Sequence, residues 1–212
     1  MKRTVNISFD NDYTLYQLHK RTWLRKIARH WYLSRIGRHA TGPAIDFGCG
    51  IGTLLAMLPQ GSIGLEINET TVDYCKDNGL DVQHYDPSKD KYQFAFITPN
   101  SFGTFIMSNV LEHIADAETV FSTILESCSR LGIDKVILVV PGRRGFEFDS
   151  THRTFIDHGW LSSRHLLETT SYHAVKEYYF PINCKWIGNI YTYHELHVIF
   201  QKNSLGRASR NH

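Results

Sequence analysis

The segment Asp46-Phe47-Gly48-Cys49-Gly50-Ile51-Gly52 sets three glycines at alternate positions directly after a short apolar run. Glycine there lets the backbone turn tightly and admits a bulky ligand with no Cβ in the way. Glu66 stands twenty residues beyond Asp46, at the end of a second strand-like run, and Asp86 stands twenty further on at the end of a third. A carboxylate at Glu66 can accept hydrogen bonds from both hydroxyls of a ribose, and Asp86 is a candidate for an adenine edge. The glycine spacing separates ligand classes. A dinucleotide fingerprint reads GxGxxG and holds a pyrophosphate at a helix N-terminus, whereas this run reads GxGxG. Asp46, two residues before the first glycine, would repel a pyrophosphate and suits an ammonium or sulfonium cation. A nicotinamide-dependent oxidoreductase is therefore the weaker reading.

Two histidines have the pKa range for proton transfer near neutrality. His113 follows Glu112 just beyond a fourth strand, and His152 lies in Asp149-Ser150-Thr151-His152-Arg153-Thr154-Phe155, just beyond a fifth. Both are expected at the mouth of a pocket, with His152 the stronger candidate for a catalytic base. The chain has twelve histidines, so orientation of the loop is the competing role for His113. Trp186, Tyr191, Tyr193 and His194 are candidates for an aromatic wall, with core packing the expected fate of at least half of them. Tyr13 and Tyr16 are candidates to cap a ligand from the N-terminal segment.

These residues need elements to hold them. Residues 13–36 carry apolar side chains at mostly helical spacing with basic residues between, which reads as one or two amphipathic helices. From residue 44 the pattern alternates: strand 44–47, helix 53–58, strand 62–66, helix 69–78 and strand 82–85. A fourth strand at 104–108, a helix at 117–131 closed by Gly132, and a β-branched strand at 135–140 follow. A helix at 161–168 and strands at 175–180 and 196–201 complete it. Such alternation predicts an α/β fold, a mostly parallel sheet with helices on both faces and ligands at the carboxyl ends of its strands.

With these residues in place, the chain resembles the class I S-adenosylmethionine-dependent methyltransferase family. The matching segments are AIDFGCGIG at 44–52, GLEIN at 64–68, FIMSNVLEHIAD at 105–116 and KVILVVPG at 135–142, and with the strand order they cover about residues 40–202. The resemblance implies a Rossmann-like doubly wound sheet of seven strands whose last is antiparallel, and S-adenosylmethionine as cofactor. It implies that Asp46, Gly48, Gly50, Gly52, Glu66, Ile67, Asp86 and Asn109 bind it, with the methionine near Asp46 and Gly48, the ribose on Glu66 and the adenine near Asp86. Gly103 departs from the family, which often has an acidic residue there. Glu112, His113 and His152 resemble the magnesium-binding set of ubiquinone-type and small-RNA 2′-hydroxyl methyltransferases. A glutamate that precedes the Glu-His pair in those enzymes is here Asn109, one oxygen ligand short for a hard cation, so no metal is expected. The resemblance does not specify a substrate; the cofactor motifs, the histidines and the compact size lead to the expectation that the chain methylates a hydroxyl on a small polar acceptor such as a saccharide or glycan precursor. An amine acceptor or an RNA 2′-hydroxyl is the alternative.

At 212 residues and 42% apolar content the chain suits one catalytic domain, expected at 41–202. A basic helical lid is expected at 1–40 and a disordered tail at 203–212. No run approaches the roughly 20 apolar residues of a membrane span. The N-terminus has no apolar signal core, and four cysteines without CxxC spacing suit reduced thiols, so a cytoplasmic location is expected. Residues 1–40 hold nine Lys and Arg against two Asp, while the remainder holds 14 against 19 acids. A basic N-terminus over an acidic body with no RNA-binding module gives no expectation of a nucleic-acid partner, and the sequence leaves oligomeric state open.

Overall fold

Seven strands form one sheet in the computed structural model of the chain, which describes residues 31–204. The strands β1 (Ala44–Phe47), β2 (Ile63–Glu66), β3 (Val82–His84), β4 (Thr104–Ser108), β5 (Lys135–Pro141), β6 (Tyr172–Phe180) and β7 (Glu195–Lys202) lie in the order β3-β2-β1-β4-β5-β7-β6. β1 to β5 are parallel, and β7 runs antiparallel between β5 and β6. The seven-stranded Rossmann-like sheet with an antiparallel last strand is thus present. Its order reverses between β1 and β4, and such a reversal leaves a crevice at the carboxyl ends of the two strands.

Side-chain alternation sorts the residues onto two faces. Ile45, Phe47, Phe105, Met107, Val136, Leu138 and Val140 point into one core, where α4 (Ala117–Arg130) adds Phe121, Ile124, Leu125 and Cys128. Ala44, Ile106, Ile137 and Val139 face the other way and meet Leu33 and Ile36 of α1 (residues 31–37). Further along that face α2 (Glu69–Asp77) packs Val72 and Cys75 against Leu55 and Val82. With both faces covered, β1 and β2 are buried at every residue, as a parallel sheet requires.

Several local expectations differ from what forms. Residues 53–58 make only a 3-10 turn at Leu55–Met57, because Leu58 precedes Pro59 and is extended, at φ −81° and ψ 161°. The helix expected at 161–168 is α6 (His158–Ser163), begun one turn earlier by Asp157, whose side chain accepts from Trp160 N–H at 2.8 Å. Two short helices were not expected: α3 (Pro87–Asp90), with Asp86 as its cap, and α5 (Arg143–Phe148). At Gly103 a Cβ would run into the Thr41 carbonyl, which accounts for glycine where the resembled family often carries an acid. Asn203, expected as the start of a disordered tail, is fixed by its backbone N–H on Ser171 O and its side-chain amide on the Thr169 and Thr170 carbonyls. Residues 205–212 lie outside the described residues. So do residues 1–30, with Tyr13 and Tyr16 and most of the expected lid. No helix among the described residues is long and apolar enough to cross a membrane.

Candidate active site

The glycine turn after β1 is held against β2. Gly48 and Cys49 donate to Leu65 O at 2.8 and 3.2 Å, and Gly50 N–H donates to Glu66 Oε2 at 2.9 Å. Gly48, Gly50 and Gly52 have φ of 71°, 53° and 72°, a region that favours glycine. Space is tight as well: a Cβ on Gly48 would lie 2.5 Å from Val110 Cγ2, and one on Gly52 would meet Leu80.

Two carboxylates flank this turn. Glu66 Oε1 accepts from Asn68 N–H at 3.0 Å while Oε2 serves Gly50. Each oxygen so spends one lone pair and keeps another, the pattern needed to receive two vicinal hydroxyls. Asp46 is buried, and its Oδ2 has no hydrogen-bond partner among the described residues. Burial, with the Glu66 charge added, raises its pKa to about 7, partly offset by the Leu55 backbone N–H. A buried oxygen without a donor is costly, and an incoming cation or N–H would satisfy it.

Of the other expected cofactor residues, Ile67 follows Glu66 and is 48% exposed, a flat apolar surface at the exit of β2. Asp86 stands past β3, but its Oδ1 takes the N–H and hydroxyl of Ser88 as the cap of α3, and its Oδ2 faces Lys89 Nζ at 3.4 Å. Asn109, at the exit of β4 with φ 55°, directs its side-chain amide to Tyr32 Oη and Glu195 Oε1, both at 3.2 Å. Tyr32 and Glu195 join the site from α1 and the start of β7, and Tyr32 also meets Ser108 Oγ at 3.0 Å. No sequence motif singled out Tyr32 or Glu195. The helical spacing of residues 13–36 was the sole available signal for Tyr32; Glu195 is brought in by the β5–β7 register, which sets it opposite Pro141.

The two histidines come together, with ring centroids 4.7 Å apart. His152 Nδ1 lies 2.8 Å from Phe146 O. A carbonyl only accepts, so Nδ1 carries a proton, and in the neutral ring the lone pair is on Nε2. His152 also stacks on the Phe146 ring at 5.3 Å. Thr151 donates its hydroxyl to Asp149 Oδ1 at 2.7 Å, so the His113 Nδ1 contact at 3.0 Å has His113 as donor. The His113 pKa is lowered, first by desolvation and then by neighbouring His152.

Glu112 is fully buried behind them. Neither carboxyl oxygen has a hydrogen-bond partner among the described residues, and Oε1 lies 3.8 Å from His152 Nε2, beyond a hydrogen bond. Desolvation raises its pKa to about 8, with smaller contributions from the Glu195 and Asp149 charges. Glu112, His113 and His152 bring potential ligand atoms within 4.8 Å of one another. One carboxylate and two imidazoles form a sparse set for magnesium, which prefers oxygen ligands. The expected aromatic wall is divided: His194 is buried, while Trp186, Tyr191 and Tyr193 are exposed, fewer in the core than expected.

Solved structures share this architecture. A S-adenosylmethionine-dependent methyltransferase from Archaeoglobus fulgidus superposes with a TM-score of 0.62 at 17% identity, over 91% of this chain and 100% of that one. Magnesium protoporphyrin IX methyltransferase from Synechocystis, solved with S-adenosylhomocysteine, gives 0.60 at 13% identity over 86% and 89%. A Haloferax volcanii methyltransferase bound to the activator Trm112 gives 0.60 at 14% identity over 84% and 92%. The fold is therefore the class I S-adenosylmethionine-dependent methyltransferase fold. No match is found among curated proteins. The family described as methionine biosynthesis protein MetW matches residues 28–178, from the end of the basic segment into β6, and the chain belongs to that family.

Proposed function

We propose that the protein is a S-adenosylmethionine-dependent methyltransferase that methylates a hydroxyl on a small polar acceptor, with a saccharide or glycan precursor as the leading candidate. The cofactor assignment is supported by Asp46, a buried carboxyl whose Oδ2 has no partner among the described residues, beside a glycine turn at positive φ that a Cβ on Gly48 or Gly52 would force against Val110 or Leu80. Asp46 would hold the cationic end of the cofactor, Glu66 its ribose, and Ile67 and Asp86 its adenine. When bound, S-adenosylmethionine supplies an electrophilic methyl group that needs little further activation.

What remains for the chain is alignment, worth roughly 7–11 kcal/mol of barrier in well-oriented systems, and removal of the acceptor's proton. His152 Nε2 takes that proton, since Nδ1 is tied to Phe146 O. The imidazolium forms with Nε2 3.8 Å from Glu112 Oε1, close enough for each group to influence the other's charge. His113, anchored through Thr151 and Asp149, packs against the His152 ring and fixes its plane. The single observation that carries the hydroxyl reading is this oriented lone pair on His152, because a hydroxyl needs a base whereas a neutral amine does not.

The test is methyl transfer from radiolabelled S-adenosylmethionine to a panel of hydroxyl and amine acceptors by the wild type and His152→Ala. Transfer to a hydroxyl acceptor, slowed about 10²- to 10⁴-fold by the substitution, is expected. Transfer confined to amines, at a rate indifferent to His152, overturns the proposal.

A further inference from the structure

A cavity of about 260 Å³ opens at the exit of β5, between α5, the approach to α6, β6 and the 3-10 turn Lys185–Asn189. Arg143, Asp157, Tyr179, Lys185 and Asn189 supply its polar wall. The Asp157 carboxylate is already engaged: Oδ1 caps α6 through Trp160 N–H, and Oδ2 pairs with Lys185 Nζ at 3.0 Å. Arg143 is braced rather than neutralised. Its guanidinium carbon lies 4.5 Å over the Phe155 ring, and its nearest carboxylate, Glu147, is 3.9 Å away with both side chains more than half exposed, a pair that holds little energy. The Tyr179 hydroxyl is buried with no hydrogen-bond partner among the described residues. Two cations thus line the cavity against one carboxylate, Asp157, which is paired with Lys185; Tyr179 lines it as well, with its hydroxyl closed off from the open space.

The wall is built closely. Gly142 and Gly188 meet at its base, where a Cβ on Gly188 would lie 2.9 Å from His194 Nδ1 and one on Gly142 would lie 3.1 Å from Gly188 Cα. Without side chains at these two positions the Lys185–Asn189 turn seats against the end of β5. Phe155, which lines the cavity, packs on Phe146 at 5.4 Å, and Phe146 stacks on His152. Two ring contacts therefore separate the cavity from the base.

We infer that this cavity is an anion subsite of the methyl acceptor, binding a carboxylate or a phosphate through Arg143, with Lys185 shared between the anion and Asp157. A guanidinium presents paired donors that match either group. The inference rests on the methyltransferase reading, in that the anion belongs to the molecule whose hydroxyl His152 deprotonates.

The test is calorimetric titration of the full chain at low ionic strength with inorganic phosphate and, separately, with malonate, each beside a titration with S-adenosylmethionine. One-site binding near or below about 1 mM is expected, weakened roughly 10-fold or more by Arg143→Gln and by Lys185→Gln. Lys89→Gln, at an exposed lysine outside the cavity, should leave it unchanged. Saturation by phosphate alone assigns a phosphorylated acceptor, and saturation by malonate alone assigns a carboxylate. Absence of saturable binding by both, or equal losses in all three variants, overturns the inference while S-adenosylmethionine binding still stands. Anion binding in a chain that does not bind S-adenosylmethionine overturns the methyltransferase reading, and with it the assignment of the anion to an acceptor.

Discussion

Binding of S-adenosylmethionine should expel a proton from Asp46. The carboxyl is buried, lacks a donor on Oδ2 and sits near Glu66, and these surroundings bring its pKa to about 7. A cation placed against it reverses the effect and returns the pKa toward the ordinary value near 4. Wild-type protein should then release about 0.9 proton per ligand at pH 6, about 0.5 at pH 7 and about 0.1 at pH 8. Affinity should rise nearly tenfold per unit between about pH 5 and pH 7 and level off above. Up to about pH 7 the α-amino group of the ligand stays charged and adds no proton of its own. The assay is calorimetry at pH 6 in buffers of different ionisation enthalpy, whose slope counts protons. Asp46→Asn should abolish the release and weaken binding by about 1.5–3 kcal/mol, the worth of a hydrogen bond to a charged group. Undiminished affinity with no proton released at pH 6, or equal release by Asp46→Asn, would refute the reasoning.

Glu112 gives a stability test. Its folded pKa, raised to about 8, means that its contribution is fully present below the unfolded value near 4.5 and is lost as pH rises through 8; urea unfolding should show wild type losing up to about 1.4 kcal/mol per pH unit relative to Glu112→Gln across that window. Gly52→Ala should destabilise by roughly 1–3 kcal/mol, since it places a Cβ against Leu80 at φ 72°, and thermal melting reads this directly. His113→Ala should slow turnover less than His152→Ala does while S-adenosylmethionine affinity stays within about twofold, a comparison that single-turnover kinetics can make.

The glycine turn and its two carboxylates, the proposed cofactor half of the site, were legible because their geometry is set by local demands. Three glycines at positive φ, a carboxylate before them and another at the next strand end are short-range requirements that a chain must write in order. The sheet was legible for a similar reason, since buried parallel strands read as apolar runs. The proposed acceptor side depends on elements distant in sequence. Tyr32 reaches Asn109 only because α1 packs beneath the sheet and Glu195 because β7 inserts beside β5, while Lys185 meets Asp157 where two glycines let its turn close on the end of that strand. No periodicity encodes those meetings. Asp86 and Asn109 show the limit in another way: both stand at expected strand ends, yet their side chains already serve Ser88 and the Tyr32–Glu195 pair.

The central claim is that Asp46 and Glu66 grip one adenosyl sulfonium at the β1–β4 reversal. A crystal structure of the chain grown with S-adenosylmethionine or its demethylated product tests this most directly. The account predicts ribose hydroxyls on the free lone pairs of Glu66 and the methionyl cation beside Asp46; ligand density elsewhere, or a crevice vacant at millimolar ligand, would contradict it.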